Sequence, residues 1–345
     1  MTVRVFPRAV LHAPEIKLKN GPNGGRLYTS PAGTFEVYGA ILDKYRRFGG
    51  PRSVLGFPVT DERGTPDGVG RYNHFQGGSI YWTPTTGAHV VYGAIRERWE
   101  AIGWELSYLG YPLSDEEAFD EGGRVSQFQG GQIYWWPDTG AIDLSEVVVS
   151  YAGLVCFEET TSDQSSDSDE PYVIFGVLSP AGGSTLASQV YEPGDGIDDG
   201  DWVRDRIELF RGKPGGLVLS TTVMEHDYGD PNAYKKQIED GVKLASSGVS
   251  YLVTLIPVVG PILGAGAGAG LVAPKGDNVK ALQRLFDFGD ERIGQDATTL
   301  TPKQMIVLAA RTPEREFKSI GLKVETRFIK RQGASYKVYF SLATA

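Results

Sequence analysis

A four-residue motif occurs twice, as Leu55-Gly56-Phe57-Pro58 and Leu109-Gly110-Tyr111-Pro112, at a spacing of 54 residues. The likeness runs well beyond the motif. Tyr38-Gly39-Ala40-Ile41 matches Tyr92-Gly93-Ala94-Ile95, and Asp61-Glu62 matches Asp115-Glu116. One residue is then deleted, after which Gly70-Arg71 matches Gly123-Arg124 and Phe75-Gln76-Gly77-Gly78 matches Phe128-Gln129-Gly130-Gly131. Ile80-Tyr81-Trp82 matches Ile133-Tyr134-Trp135 in the same way, and Gly24-Gly25-Arg26-Leu27-Tyr28 stands 53 residues before Gly77-Gly78-Ser79-Ile80-Tyr81. These matches define a truncated leader at 20–38 and two copies at 39–92 and 93–145. A unit of this length cannot bury its aromatic residues alone, so successive copies must stack.

Within each copy the pattern predicts a short helix, Ala40 to Phe48 or Ala94 to Ile102, with apolar residues at three- and four-residue spacing. The Leu-Gly-aromatic-Pro turn follows, its glycine free to take positive φ and its proline holding the next φ. Two short strands then flank a Gln-Gly-Gly turn, the signature of a hairpin.

The Leu-Gly-Phe-Pro turn, the acidic pair, the Gly-Arg strand and the run Gly78-Ser79-Ile80-Tyr81-Trp82-Thr83-Pro84 together resemble the LGFP repeat family over about residues 20–145. The resemblance implies a cell-surface or secreted protein whose repeats attach to cell-wall polysaccharide, often beside a hydrolase. Copy two departs from the pattern, with Tyr111 for Phe57, Trp136 for Thr83 and Ile142 in place of His89. Exposed aromatic faces stack on sugars. The expected glycan-binding residues are therefore the hairpin aromatics Tyr81, Trp82, Tyr134, Trp135 and Trp136, with Gln76, Gln129 and Asp138 as hydrogen-bonding partners. The competing reading makes the same rings the core of a small repeat, since strand alternation buries one of each Tyr-Trp pair.

Charge divides the chain differently from the repeats. Residues 1–145 carry 14 basic and 16 acidic side chains, residues 146–230 carry 4 and 17, and residues 231–345 carry 16 and 10. The acidic centre is interleaved with strand-like runs at Val147 to Phe157, Tyr172 to Leu178, Trp202 to Phe210 and Leu217 to Met224, and its acids fall at their ends. Further strands are expected at Leu322 to Ile329 and Tyr336 to Leu342. The predicted fold is thus mainly β with α (α+β): a repeat domain over 1–145, then a β-sandwich over 146–345 with a helical insertion at about 231–286.

Carboxylates from several loops at one end of a sandwich suit calcium, which takes six to eight oxygen ligands. Their mutual repulsion also gives a cation an electrostatic rationale. The expected ligands are Asp169, Glu170, Asp199, Asp201, Glu225, Asp227, Asp230 and Asp290. The alternative is that these acids are solvated. In pattern the region resembles calcium-dependent phospholipid-binding β-sandwiches. Asp287, Glu291 and Asp296, with Asp290, read equally as carboxylates that complete the metal site from another loop or as a polar turn.

Residues 248–273 contain no charge and are interrupted by Pro257, Gly260 and Pro261. The run reads as a buried helical hairpin, with membrane insertion or a flexible loop as alternatives. Beside the basic residues of 231–345 it keeps an anionic membrane as a partner, and a toxin-like role with it. Nothing points to nucleic acid.

Catalytic motifs are scarce. Neither a Gly-x-Ser-x-Gly elbow nor a His-Glu-x-x-His helix occurs. The single cysteine, Cys156, excludes an internal disulfide and a multi-cysteine zinc site, and a thiol dyad with His226 is a weaker reading than simple packing. A glycan or cell-wall hydrolase is the remaining enzymatic alternative to a non-catalytic binding protein. No cleavable signal is read at Met1, because Val3-Arg4-Val5-Phe6 runs into charged and proline-containing sequence. Secretion or surface display is expected from the repeats alone.

Overall fold

The computed structural model describes residues 18–159, 171–179, 187–191, 196–225, 291–311, 324–331 and 333–345. The architecture is mainly β, built of several antiparallel sheets. It divides into two compact units, Met1–Asp143 and Leu144–Ala345.

The first unit alternates sheet and helix. Strands β1 (Leu18–Asn20), β2 (Arg26–Ser30) and β3 (Gly33–Val37) make a three-stranded leader sheet, and helix α1 (Gly39–Arg47) follows it. Next come β4 (Arg63–Gly64), β5 (Arg71–His74), β6 (Gly78–Thr83) and β7 (Gly87–Tyr92), then helix α2 (Gly93–Ala101). The last sheet holds β8 (Glu117–Phe119), β9 (Gly123–Phe128), β10 (Gly131–Trp136) and β11 (Gly140–Leu144). The expected hairpin is therefore the centre of a four-stranded sheet in each copy. The flanking strands escape pattern reading because β4 has two residues and β7 begins on Gly87-Ala88.

Stacking of the copies follows from strand alternation. Ile80 and Val90 point into one core, with Tyr28 and Val37 of the leader, Ile41, Leu42 and Tyr45 of α1, and Leu55 and Phe75. Their neighbours Tyr81 and Val91 point into the next core, with Ile95 and Trp99 of α2 and Leu109, Tyr111, Phe128 and Ile133. Successive side chains on a strand face opposite sides, so the sheet of copy one contributes to two cores.

The second unit begins with the long strand β12 (Val147–Glu158), followed by β13 (Pro171–Leu178) and β14 (Ala187–Tyr191). The run expected from Trp202 to Phe210 is broken into β15 (Trp202–Val203) and β16 (Ile207–Gly212). Strand β17 (Leu217–Glu225) is as expected, whereas β18 (Glu291–Leu300) and helix α3 (Pro302–Arg311) were not legible as such. The stretch expected as one strand from Leu322 contributes β19 (Val324–Glu325) and β20 (Ile329–Arg331), ahead of β21 (Ala334–Thr344).

One sheet runs β15-β12-β21-β19, with β16 on β12 and β20 on β21; the other runs β14-β13-β17-β18. Phe175 of β13 lies 5.2 Å, centroid to centroid, from Tyr151 of β12 and 6.1 Å from Phe340 of β21, so the two sheets meet through aromatic rings. Cys156 is buried on β12 and forms no disulfide, and His226 lies outside the described residues. Asp296 corrects the turn reading of its segment: it sits in β18, buried, and its carboxylate accepts from Arg327 Nε at 2.9 Å, Nη2 at 2.7 Å and the backbone N–H at 2.8 Å. An acid in a strand centre defeats alternation unless its partner, 31 residues away, is known.

The expected insertion at 231–286 and the apolar run 248–273 lie outside the described residues. Among the described residues no helix is long and apolar enough to cross a membrane.

Candidate functional site

The motif residues of the first unit turn out to hold one another. Gly56 has φ 64° and Gly110 has φ 65°, the left-handed region in which glycine is unstrained. Each turn is strapped to the Phe-Gln-Gly-Gly segment of its own copy. Gln76 Oε1 accepts from the Phe57 N–H at 2.9 Å, and Gln129 Oε1 accepts from the Tyr111 N–H at 2.9 Å. In return the N–H groups of Gln76 and Gly77 donate to the carbonyls of Phe57 and Leu55, and those of Gln129 and Gly130 to Tyr111 and Leu109. A Cβ on Gly77 would stand 2.0 Å from the Val54 carbonyl oxygen, and one on Gly130 2.0 Å from that of Tyr108, so both positions need glycine.

The acidic pair locks each copy to the one before it. Asp61 accepts from the Glu36 N–H at 2.8 Å, and Asp115 accepts from the Val90 N–H at 2.9 Å. Asp115 also pairs with Lys44 at 2.5 Å and lies 3.7 Å from His89. Burial alone would raise its pKa, but His89, Lys44 and the Val90 N–H together hold it at about 2. The second acid of each pair sits between a tyrosine and an arginine. The Tyr92 hydroxyl donates to Glu116 at 3.0 Å and Arg124 lies 3.2 Å away, while Glu62 meets Tyr38 and Arg71. Burial raises the pKa of both glutamates.

These contacts relocate the expected glycan residues. Tyr81, Tyr134 and Trp136 are buried, and Trp136 donates its ring N–H to the Asp120 carbonyl at 2.9 Å, so none offers an open face. Both members of the Tyr81-Trp82 pair are largely covered, because the sheet of a middle copy has a core on each side. Trp82 and Trp135 are half-buried and pack against the two cores. Gln76 and Gln129 are exposed, but their carboxamide oxygens are committed to the turns. Asp138 is exposed at the tip between β10 and β11.

The surface that distinguishes copy two lies elsewhere, in Trp104-Glu105-Leu106-Ser107-Tyr108, which replaces Gly50-Pro51-Arg52-Ser53-Val54. Ser53 and Ser107 make the same turn, donating to the carbonyls of Gly50 at 2.7 Å and Trp104 at 2.6 Å. Gly50 takes φ 58° freely, whereas Trp104 takes φ 56° at a cost of about 1 kcal/mol or more. That strain places the Trp104 ring 5.2 Å from Trp99 and 5.7 Å from His74, with the Arg96 guanidinium 4.9 Å from its centroid. Burial, with Arg96 and Arg63 nearby, lowers the His74 pKa to about 4, so the imidazole is neutral in this cluster.

Leu106 is 64% exposed and Tyr108 56% exposed. The Tyr108 hydroxyl donates to Asp143 Oδ2 at 2.8 Å, and Arg98 grips the other Asp143 oxygen. Desolvation of the phenol end and then the Asp143 carboxylate raise the Tyr108 pKa. The ring is thus tethered at one end and open along its length. Sequence reading missed this residue because it lies outside the motif. The available signal was that residues 50–54 and 104–108 share only a serine while the copies match on either side.

Three of the expected calcium ligands lie in the described residues. Asp199 is exposed and accepts from the Glu159 N–H at 2.7 Å; Asp201 accepts from the Asp198 N–H at 3.1 Å. Glu225 ends β17 and is buried, paired in register with Pro171 and Glu291. Among the described residues no group of three His, Cys, Asp or Glu side chains is arranged to hold a metal ion. Asp169, Glu170, Asp227, Asp230 and Asp290 lie outside them.

The first unit is therefore a tandem sheet-and-helix repeat module whose copies interlock through their signature residues. The LGFP repeat model matches residues 55–107 and 109–149, so the chain carries two LGFP repeats. The matched repeat begins at the Leu-Gly turn, which shifts its phase from copies counted from the helix. Repeats of this kind are typical of surface-associated or secreted proteins. No curated protein matches the chain.

Proposed function

We propose that this is a non-catalytic surface protein whose repeat unit docks on a cell-wall or other surface glycan through the Tyr108 face of copy two. The observation that carries the reading is the exposed Tyr108 ring, held still by Asp143 and flanked by Arg98 and Leu106. A pyranose presents C–H bonds to an aromatic face and hydroxyls at its rim. Here the rim would meet the half-exposed Arg98 guanidinium, which donates. Tethering the ring beforehand lowers the ordering cost of binding. Copy one, with Val54 at the equivalent position, lacks this platform.

Retention of the protein on insoluble cell-wall polysaccharide tests the reading. Tyr108→Ala is expected to reduce retention at least about tenfold, the loss of one central aromatic contact, while Val54→Ala leaves it unchanged. Equal retention of wild type and Tyr108→Ala would remove the platform from consideration.

For the second unit we read the two facing sheets as a sandwich, with calcium as its proposed ligand. Such a site needs carboxylates beyond Asp199, Asp201 and Glu225. Calcium bound only to the folded state raises the melting temperature by mass action, so an unchanged melting point in millimolar calcium rejects this part.

A further inference from the structure

We propose that His74 of copy one is a proton-sensitive seat for the segment of copy two that carries Tyr108, so that acid unseats the Tyr108 face and releases its glycan. The release rests on the docking reading above; the seat itself does not. Asp143 tethers the Tyr108 hydroxyl, and the short turn Trp104–Leu106 precedes the ring. In that turn the N–H groups of Leu106 and Ser107 donate to the carbonyls of Gly103 and Trp104 at 3.2 and 3.1 Å. It starts on a non-glycine residue in the left-handed region, a strained conformation that persists only while packing enforces it. Part of that packing comes from copy one. The Trp104 ring stacks on Tyr81 with centroids 6.0 Å apart and lies 5.7 Å from His74.

A hydrogen-bond chain fixes the charge of His74. Arg96 of α2 donates from Nε to Ser79 Oγ at 2.8 Å, and Ser79, fully buried on β6, lies 2.7 Å from His74 Nδ1. A guanidinium can only donate, so the serine accepts from it and gives its own hydrogen to Nδ1, which must then present a lone pair. A proton on Nδ1 would strand the buried serine hydrogen. It would also set a cation beside Arg96 and Arg63, the charged groups that act on the ring. The phenols of Tyr72 and Tyr81 face it as well, at 4.8 and 6.3 Å between centroids, and phenols are uncharged in acid. Glu100 pairs with the outer end of Arg96 at 3.3 Å, while Glu105, buried next to Trp104, acts on Tyr81 and Asp67. Burial raises the Glu105 pKa, so its protonation favours the folded form as pH falls and opposes the effect of His74.

The folded pKa of His74, about 4, lies below the unfolded value of about 6.5. Its contribution is complete above the unfolded value and is lost as pH falls toward the folded one, because the opened segment binds a proton that the seated one refuses. With partial exposure discounted, opening at pH 5 should be favoured roughly tenfold over opening at pH 7.5.

The test is hydrogen exchange in the full chain at pH 7.5 and pH 5, read as protection factors, beside retention on insoluble cell-wall polysaccharide at the same two values. The Leu106 and Ser107 amides report the seating of the segment. The Ser53 amide, bonded to the Gly50 carbonyl in the matching turn of copy one, is the internal reference. Protection at Leu106 and Ser107 is expected to fall roughly tenfold relative to Ser53 on acidification, and retention to fall with it. His74→Asn leaves an acceptor for Ser79 but takes no charge, so both acid losses should vanish in that variant. Should it misfold by circular dichroism, the wild-type ratio decides alone. Protection independent of pH, a loss at Ser53 equal to that at Leu106 and Ser107, or an acid loss that persists in a folded His74→Asn would each overturn the proposal. So would full retention at pH 5 by a segment that has lost protection. Absence of retention at pH 7.5 would sink the docking reading and with it the glycan release, whereas the exchange ratio would still decide the seat.

Discussion

Position for position, Gln76 and Gln129, Gly77 and Gly130, Asp61 and Asp115, and Glu62 and Glu116 make equivalent contacts in the two copies. By contrast, Gly50-Pro51-Arg52-Ser53-Val54 and Trp104-Glu105-Leu106-Ser107-Tyr108 share a single serine. What persists between copies is whatever fastens a turn to its hairpin or one copy to the next. What diverges is a short surface segment under no such demand. The repeated motif therefore marks the frame, and the ligand is to be sought where the copies disagree.

The largest test of that equivalence is in the cores. Leu55 and Leu109 are fully buried at matching positions, so Leu55→Ala and Leu109→Ala should each cost about 2–5 kcal/mol in urea unfolding. Costs that differ severalfold between them would break the comparison.

Asp115 gives the next effect. Its folded pKa, about 2, lies below the unfolded value of about 4, so its contribution is complete above the unfolded value and is lost as pH falls toward the folded one. With partial exposure discounted, Asp115→Asn should destabilise the unit by about 1–2 kcal/mol at neutral pH. The gap between wild type and variant should close between about pH 4 and pH 2. A gap independent of pH would mean that Lys44 does not act on Asp115 as a charge.

Smaller again are the turn braces. Gln76→Ala and Gln129→Ala each remove one hydrogen bond from an exposed carboxamide, an expected loss of about 1 kcal/mol apiece, and neither should alter retention on polysaccharide. Selective loss of retention in either variant would restore that glutamine as a ligand contact. Smallest in stability is Tyr108→Ala, at under about 1 kcal/mol for a ring that is mostly solvated. Its measured signature is the loss of glycan retention without a matching shift in the urea midpoint.

Much of the repeat was legible because its constraints are local. Glycine at 56 and 110, the helix spacing of Ile41 and Tyr45 and the Gln-Gly-Gly turns all express backbone or periodicity rules within a few residues. The candidate site was much less legible. Tyr81, Tyr134 and Trp136 looked like a sugar platform because alternation was counted as if each sheet had one dry face, whereas stacking gives the sheet of copy one a core on both sides, and in copy two Phe119 packs on Tyr134 and Trp136. Asp296 looked like a turn acid for a related reason, its partner Arg327 being distant in sequence.

By itself the sequence determined that a stacked repeat runs over about residues 20–145 and that strands recur in the unevenly charged part after it, because periodicity, turn chemistry and composition act over short stretches of chain. Only the tertiary structure decided which aromatics are core and which are surface, and which acids are braces. Burial depends on what the neighbouring copy or the opposite sheet supplies, and that information lies tens of residues from the ring or carboxylate in question.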